Sequence, residues 1–204
     1  MKTIEKIGSY FLMLQKVFGK FTKWSVLRPL IFKDIEVLIL GSIGIVAFIS
    51  FFVGGVVAIQ TALNMSNPLI PKNLIGYATR QSVIMEFAPT FMSIIMAGKV
   101  GSYITSSIGT MRVTEQIDAL EVMGINTYNY LIFPKIIALL LYPFIITFSM
   151  FLGVLGGYIA SVYGEFCSSA LFIEGIQIDF IPFHIQYAFI KTIIFSFLLA
   201  TIPA

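Results

Sequence analysis

Long apolar runs alternate with short polar segments along this chain, and each run is long enough to cross a membrane. Apolar residues dominate four stretches, at positions 35–62, 74–108, 130–163 and 183–204. A transmembrane helix needs about 20 predominantly apolar residues, so each stretch predicts one span. The first is longer than a span needs, so it must tilt, bend or project beyond the bilayer. The pattern predicts an all-α integral membrane protein, a single helical bundle over 1–204.

The segment 2–28 has a different pattern and does not predict a span. Its apolar residues recur at steps of three and four positions, at Ile4, Ile7, Phe11, Leu14, Phe18 and Phe21. Lysines occupy the other faces of the same helix. Basic amphipathic helices of this kind lie in the headgroup region of a membrane. We therefore expect an interfacial helix over 2–28, with a loose basic tail as the alternative.

The positions of Lys and Arg predict which connections face the cytoplasm. Seven of the 13 basic residues lie in 1–33, so the positive-inside rule places the amino terminus in the cytoplasm. Counting spans then places 64–72 and 164–180 outside, where Lys72 is the one basic residue. The first of these connections holds two prolines and two asparagines, which is typical of a turn. The segment 109–128 falls in the cytoplasm.

Composition agrees with a membrane protein and argues against catalysis. The chain is 58% hydrophobic and 11% charged, whereas soluble domains carry about 25% charged residues. Cys167 is its one cysteine and His184 its one histidine, so most nucleophile–base pairs and metal sites cannot be assembled. The chain also lacks the GxxxxGK[ST] phosphate loop. We expect no enzyme activity, no bound cofactor or metal, and no nucleic-acid partner.

The polar segment "GTMRVTEQIDALEVMG", at 109–124, predicts a short amphipathic helix over 110–124. On a helical wheel, its apolar side chains fall on one face and its acids on another. The polar residues of interest are Arg112, Glu115, Gln116, Asp118 and Glu121. Thr110 can cap the start of this helix and Gly124 can end it.

Three interpretations of this helix compete. It could lie on the membrane surface, but helices that do so usually carry Lys and Arg to meet anionic lipid. It could be an ordinary solvated connection. It could also dock a soluble partner, because a transporter without a nucleotide site must receive force from a separate ATPase. The acids would then face a basic groove on that partner.

The stretch 85–138 resembles the signature region of the MlaE/YrbE permease family, the membrane subunits of MCE-type ABC lipid transporters. The family pattern runs "RELGP", "AGR(V/A)GS", "E(I/L)GTMRVTEQIDAL" and "PR". This chain has "MEFAP", then "AGKVGS" at 97–102, "SIGTMRVTEQIDALEVMG" at 107–124 and "FPK" at 133–135. It departs from the pattern at Ser107, where the family often has an acid. Lys99 and Lys135 stand where Arg is common, which keeps the charge and loses the fork geometry.

The resemblance implies a complete transport system. It implies a permease homodimer in the bacterial inner membrane and a cytoplasmic ABC ATPase dimer, which binds ATP and Mg and docks on the helix at 110–124. It also implies a periplasmic MCE-domain protein and a phospholipid cargo moved between inner and outer membranes. An intact family member has about five spans, and this sequence supplies four.

Four charges fall within predicted spans, where ionisable groups are costly and are usually paired or functional. They are Arg80, Glu86, Lys99 and Lys191. Each of the three cations is a candidate partner for Glu86. The pair would either hold two spans together or take part in the lipid path. A self-contained secondary transporter that uses Glu86 and Lys191 as an ion relay is the alternative function, and a structural scaffold is a third.

Several small, polar or flexible side chains could line a lipid path or a dimer interface. They are Gly54, Gly55, Gln60, Tyr77, Met85, Met92 and Met96. Glycines allow close approach of helices, a buried amide needs a partner, and methionines adapt to irregular apolar cavities. Ordinary helix packing is the alternative for each. Gly153 and Gly157 form a GxxxG spacing that also favours close helix packing.

Overall fold

A computed structural model describes residues 2–19, 22–65 and 71–204, and in these ranges the secondary structure is helical, without a β-strand. The α-helices are α1 (Lys2–Val17), α2 (Trp24–Asp34), α3 (Ile43–Asn64), α4 (Leu74–Ser82), α5 (Met92–Val113), α6 (Gln116–Val122), α7 (Thr127–Leu139), α8 (Tyr142–Tyr163), α9 (Ser169–Gln177) and α10 (Phe183–Thr201). Four helical stretches are long and apolar enough to cross a membrane: Trp24–Asn64, Leu74–Val113, Thr127–Tyr163, which has a turn at 140–141, and Phe183–Thr201. The predicted all-α membrane fold with four spans is confirmed.

The first two spans are not regular along their length. A π-helical segment, Ile35–Ile39, and a 3-10 turn, Leu40–Ser42, join α2 to α3. A longer π-helical segment, Val83–Phe91, joins α4 to α5 and contains Pro89. Proline cannot donate the backbone hydrogen bond of a regular helix, and π-helical turns are frequent at functional sites.

The predicted helix over 2–28 is two helices, and side chains at the start of α7 occupy the end of α1. The Asn126 side chain donates to the Lys16 carbonyl over 2.9 Å, and Asn129 donates to the Val17 carbonyl over 2.8 Å. The last carbonyls of a helix need such partners. Asn129 also accepts from the Thr22 backbone over 3.0 Å. Lys20 and Phe21 lie outside the described residues, as do the Lys2 and Lys6 side chains.

The chain forms two compact units, and each span contributes to both. The first unit comprises Met1–Gly41, Met96–Leu141 and Phe195–Ala204. Within it, α7 packs against both α1 and α2. The second unit comprises Ser42–Ile95 and Tyr142–Ile194.

Glycine backbones form the main contact of the second unit, between α3 and α8. A Cβ at Gly54 would overlap the Gly153 backbone, and a Cβ at Gly156 would overlap the Phe51 carbonyl. The Ser50 and Ser149 hydroxyls share a buried 2.6 Å hydrogen bond across the same contact. The GxxxG spacing at Gly153 and Gly157 thus serves close packing within one chain, as the small-residue rule predicts.

The predicted outer connection 164–180 contains helix α9. Ser168 caps its start by accepting a hydrogen bond from the Leu171 backbone. The helix packs closely on α4, since a Cβ at Gly76 would overlap the Phe172 carbonyl and one at Gly175 would overlap the Asn73 carbonyl. The other predicted outer connection, 64–72, lies largely outside the described residues.

Candidate functional site

The polar segment between the second and third spans is a short helix preceded by a turn, so the predicted single helix over 110–124 is corrected. The second span continues as α5 to Val113, and Thr110 lies inside it, where its hydroxyl donates to the Ser106 carbonyl over 2.9 Å. Thr110 is therefore not a cap. The chain turns at Glu115, whose φ of 58° is left-handed, and a new helix begins at Gln116. The break arises because the Glu115 backbone bonds three residues back, to Arg112, rather than four.

Gly124 ends α6, as the sequence predicted. Its φ is +73°. Its backbone donates to the Glu121 carbonyl over 2.9 Å, and the Ile125 backbone donates to the Leu120 carbonyl over 3.1 Å. These two bonds form a Schellman motif, which favours glycine at the left-handed position.

The predicted acids of this segment all lie on its surface. Gln116 and the three acids Glu115, Asp118 and Glu121 are exposed. Arg112 and Asp118 form an exposed ion pair across the turn, 3.9 Å apart. An ion pair of this kind contributes little to stability, so most of the acidic charge is available to a partner.

Apolar side chains are exposed beside these acids. Val122 is 89% exposed, and Val113 and Met123 are also exposed. Ile117 is buried on the other side of α6 and attaches the helix to the first unit. Exposed apolar groups with a charged surround are the usual composition of a protein-binding surface.

Glu86 lies beside Lys191, one of its three candidate partners, and the two form an ion pair of 3.2 Å. The Lys191 ammonium also donates to the Met85 carbonyl over 3.2 Å. The Met85 side chain has a partner of its own, because its sulfur accepts a hydrogen bond from the Gln81 amide. The Glu86 side chain is 63% exposed and the Lys191 side chain 20%. The pair is therefore partly open, within the π-helical part of the second span.

The structure gives the other two cations different partners. Arg80 is buried and donates to the carbonyls of Ile176, Ile178 and Asp179, at 2.6, 2.9 and 3.3 Å. It therefore caps the carboxyl end of α9, where a cation is favoured. The Tyr77 ring lies 5.1 Å from its guanidinium carbon. Lys99 donates to the Gly41 carbonyl, in the 3-10 turn of the first span.

An apolar cavity of about 500 Å³ lies between α3 and the π-helical segment of the second span. Its lining residues are Phe52, Val53, Val56, Val57, Gln60, Thr61, Ser82, Phe87 and Phe91. Its polar lining residues are Gln60 and Thr61 near the end of α3 and Ser82 of α4. In sequence, these are the lining residues nearest to the connection 64–72. The cavity therefore has one polar end and a long apolar wall.

Of the residues predicted for a lipid path, Gln60 lines this cavity and the others lie elsewhere. Gly54 packs on α8, and Gly55 lies 3.4 Å from Ala160, measured from an ideal Cβ. Met92 and Met96 are fully buried. The sequence analysis did not single out Phe52, Phe87 and Phe91, which line the same cavity.

A buried ion pair in the first unit was also missed. The Lys135 ammonium lies 3.5 Å from the Asp34 carboxylate, and their side chains are 9% and 10% exposed. Lys135 was noted within the "FPK" motif, but Asp34 was not considered. An acid at the start of a long apolar run was the signal for it.

Comparison with known proteins identifies the family. The model of the family described as Permease MlaE matches residues 31–204. A "Probable ABC transporter permease protein" of Rickettsia bellii is 31% identical over 96% of this chain and 80% of its own length. Its counterpart in Rickettsia conorii is 30% identical, over 99% of this chain and 78% of its own length.

A plant protein is also similar. The Arabidopsis thaliana chloroplast protein TRIGALACTOSYLDIACYLGLYCEROL 1 is 30% identical over 79% of this chain and 46% of its own length. The family match covers most of the chain, including the glycine-packed helices, the cavity and α6. This chain therefore belongs to the MlaE permease family.

Proposed function

We propose that this permease moves phospholipid, or a related hydrophobic molecule, between the inner and outer membranes of a bacterium. Family membership makes the chain a permease subunit of an ABC transporter and a multi-pass membrane protein. It favours that role over the alternative of a self-contained secondary transporter. The lipid cargo, the partners and the orientation in the inner membrane, with a cytoplasmic amino terminus, belong to the proposal.

The observation that carries the proposal is the cavity beside Gln60. Its volume of about 500 Å³ is in the range of small-molecule sites, roughly 300–1,000 Å³. Phe52, Val56, Phe87 and Phe91 offer an apolar wall to an acyl chain, while Gln60 and its polar neighbours offer hydrogen bonds to a head group. An amphipathic cargo matches this distribution. The plant relative, whose name includes a galactolipid, supports a lipid cargo for this chain as well.

The surface of α6 supports docking of a cytoplasmic ATPase. Glu115, Asp118 and Glu121 offer negative charge to a basic groove, which favours fast and specific encounter. Val122 and Met123 offer apolar area, which supplies affinity once water is excluded. ATP and Mg would bind to that partner. A second permease copy and a periplasmic MCE-domain protein would complete the assembly that the resemblance implies.

Reconstitution tests the proposed energy source. The permease would be placed in proteoliposomes with its ATPase and MCE-domain partners, and transfer of labelled phospholipid would be measured. We expect transfer only with Mg and ATP present. Transfer by the permease alone, driven by an ion gradient, would support the ion-relay alternative instead.

A pull-down tests the docking surface. The double variant Glu115→Lys/Asp118→Lys is expected to lose ATPase association, because two attractions become repulsions. Glu165→Lys/Glu174→Lys is the matched control, since it reverses two acids on the predicted outer connection. Unchanged ATPase association of the first variant would contradict docking through these acids.

A further inference from the structure

A second cavity, of about 530 Å³, lies within the first unit and differs from the apolar one in its chemistry. It is lined by residues of α2, of the last turns of α5, and of α6 and α7. Nine of its twelve lining side chains carry polar atoms, among them Ser106, Ser107, Thr110 and Tyr130. A cavity so rich in hydroxyl groups is suited to a hydrated or anionic group rather than to an acyl chain.

The formal charge of the wall favours an anion. The lining residues that carry a formal charge are Lys33, Asp34 and Lys135. Two cations and one anion leave a net charge of +1. A phosphodiester carries one negative charge, so it would neutralise the wall.

The geometry at Lys135 leaves capacity for such a ligand. Its ammonium has three N–H donors, and among the described residues its one ion-pair partner is Asp34, at the long distance of 3.5 Å. Charge-assisted hydrogen bonds are usually about 2.7–2.9 Å. An oxygen of a bound anion could therefore take a donor of Lys135 that Asp34 does not fully occupy.

We propose that this cavity binds a phosphate group, in the form of the phosphodiester of a lipid head group. Lys33 and Lys135 supply the charge, and the hydroxyls of Ser106, Ser107 and Thr110 supply further donors. Gln116 of α6 is part of the same wall, so the site adjoins the proposed docking helix. This inference deepens the proposed lipid transport, but its test measures binding alone and can fail or succeed independently of transport.

The test measures protection of an introduced thiol by a ligand. Ser107→Cys would be made in a Cys167→Ala background, in the full chain purified in detergent with its ATPase partner. A charged maleimide would label the new thiol in the presence of dihexanoyl phosphatidylglycerol, inorganic phosphate or dihexanoylglycerol. Ser102→Cys is the matched control, because it is exposed on the same helix and does not line the cavity.

We expect the phosphatidylglycerol to slow labelling at position 107 about tenfold when it is present at about ten times its dissociation constant. It should leave position 102 unaffected. Equal protection by inorganic phosphate at the same concentration would keep the phosphate site and assign it to the free anion. Equal protection by dihexanoylglycerol, which lacks phosphate, would overturn the proposal, and so would absence of protection by all three.

Three charge variants give an independent readout. Lys33→Gln removes an exposed cation without leaving a buried charge unpaired, and it should weaken protection by about three- to fivefold. Lys135→Arg keeps the buried charge and should retain protection. Protection by phosphatidylglycerol that is unchanged in Lys33→Gln and in Lys135→Met would show that these cations do not hold the phosphate.

Discussion

Two of the ion pairs among the described residues, Asp34–Lys135 and Glu86–Lys191, have opposite surroundings. Asp34 and Lys135 are both about nine-tenths buried in the first unit, and 3.5 Å separates them. Glu86 and Lys191 are closer, at 3.2 Å, but the glutamate is mostly exposed. Burial rather than distance decides how much each pair contributes to stability. A buried charge that loses its partner is not solvated by water, whereas an exposed one is. Loss of one partner should therefore lower the free energy of unfolding more at the first pair than at the second.

In the second unit, the main helix contact does not involve charged side chains. Its main helix contact, α3 on α8, is made by glycine backbones and a serine pair rather than by charge. Close approach of backbones is the usual source of helix association where the surroundings offer no hydrophobic driving force. The α3–α8 contact is thus independent of the Glu86–Lys191 pair.

The largest expected effect is from breaking the buried pair. Lys135→Met should lower the free energy of unfolding by about 3–5 kcal/mol, because it leaves the Asp34 carboxylate buried and unpaired. Denaturation in mixed detergent micelles would measure this. The double variant Asp34→Asn/Lys135→Met should recover much of the loss. If Lys135→Met were as stable as the parent, burial would not distinguish the stability contributions of the two pairs.

The next effect concerns the glycine contact of the second unit. Gly54→Ala should cost about 1–3 kcal/mol, because the added methyl group would overlap the Gly153 backbone and force α3 and α8 apart. Gly44→Ala, on the same helix with open space around it, is the control and should be neutral or slightly stabilising. Equal losses in both variants would indicate a general effect of alanine and not of packing.

The smallest stability effect is expected at the open pair. Glu86→Gln should change the free energy of unfolding by less than about 1 kcal/mol, because the pair is partly exposed and Lys191 keeps the Met85 carbonyl. Transport is expected to fall much more than stability does. The charge swap Glu86→Lys/Lys191→Glu should restore what each single reversal loses. A swap that restores nothing would rule out direct pairing as the functional feature.

Much of the fold could be predicted from the sequence because apolar run length is a strong signal. The four spans and the end of α6 at Gly124 follow from local rules. The break of α1 at Val17 could not be predicted, since it depends on Asn126 and Asn129, more than a hundred residues away. The predicted start of the helix at Thr110 was wrong for a related reason. Threonine is a suitable capping residue, but here the second span continues past Thr110 to Val113.

The sequence indicated which charged residues to examine, but it gave less information about which residues line the cavities. Gln60 was singled out because an amide in an apolar run needs a hydrogen-bond partner, and it lines the apolar cavity. Phe52, Phe87 and Phe91 were not found, because aromatic residues are common in any span and their meeting depends on the pairing of α3 with the second span. Asp34 was not considered, because its partner Lys135 lies about a hundred positions away in the sequence.

The most direct test of the account is a block of the apolar cavity. Val56→Trp would fill the space beside Gln60, and Phe48→Trp is the matched control because Phe48 is equally exposed on α3 but does not line the cavity. The measurement is ATP-driven transfer of labelled phospholipid in reconstituted proteoliposomes. The account predicts that Val56→Trp loses transfer while Phe48→Trp retains it, with both variants folded and bound to the ATPase. Transfer at the parental rate by Val56→Trp would contradict the claim that lipid passes through this cavity.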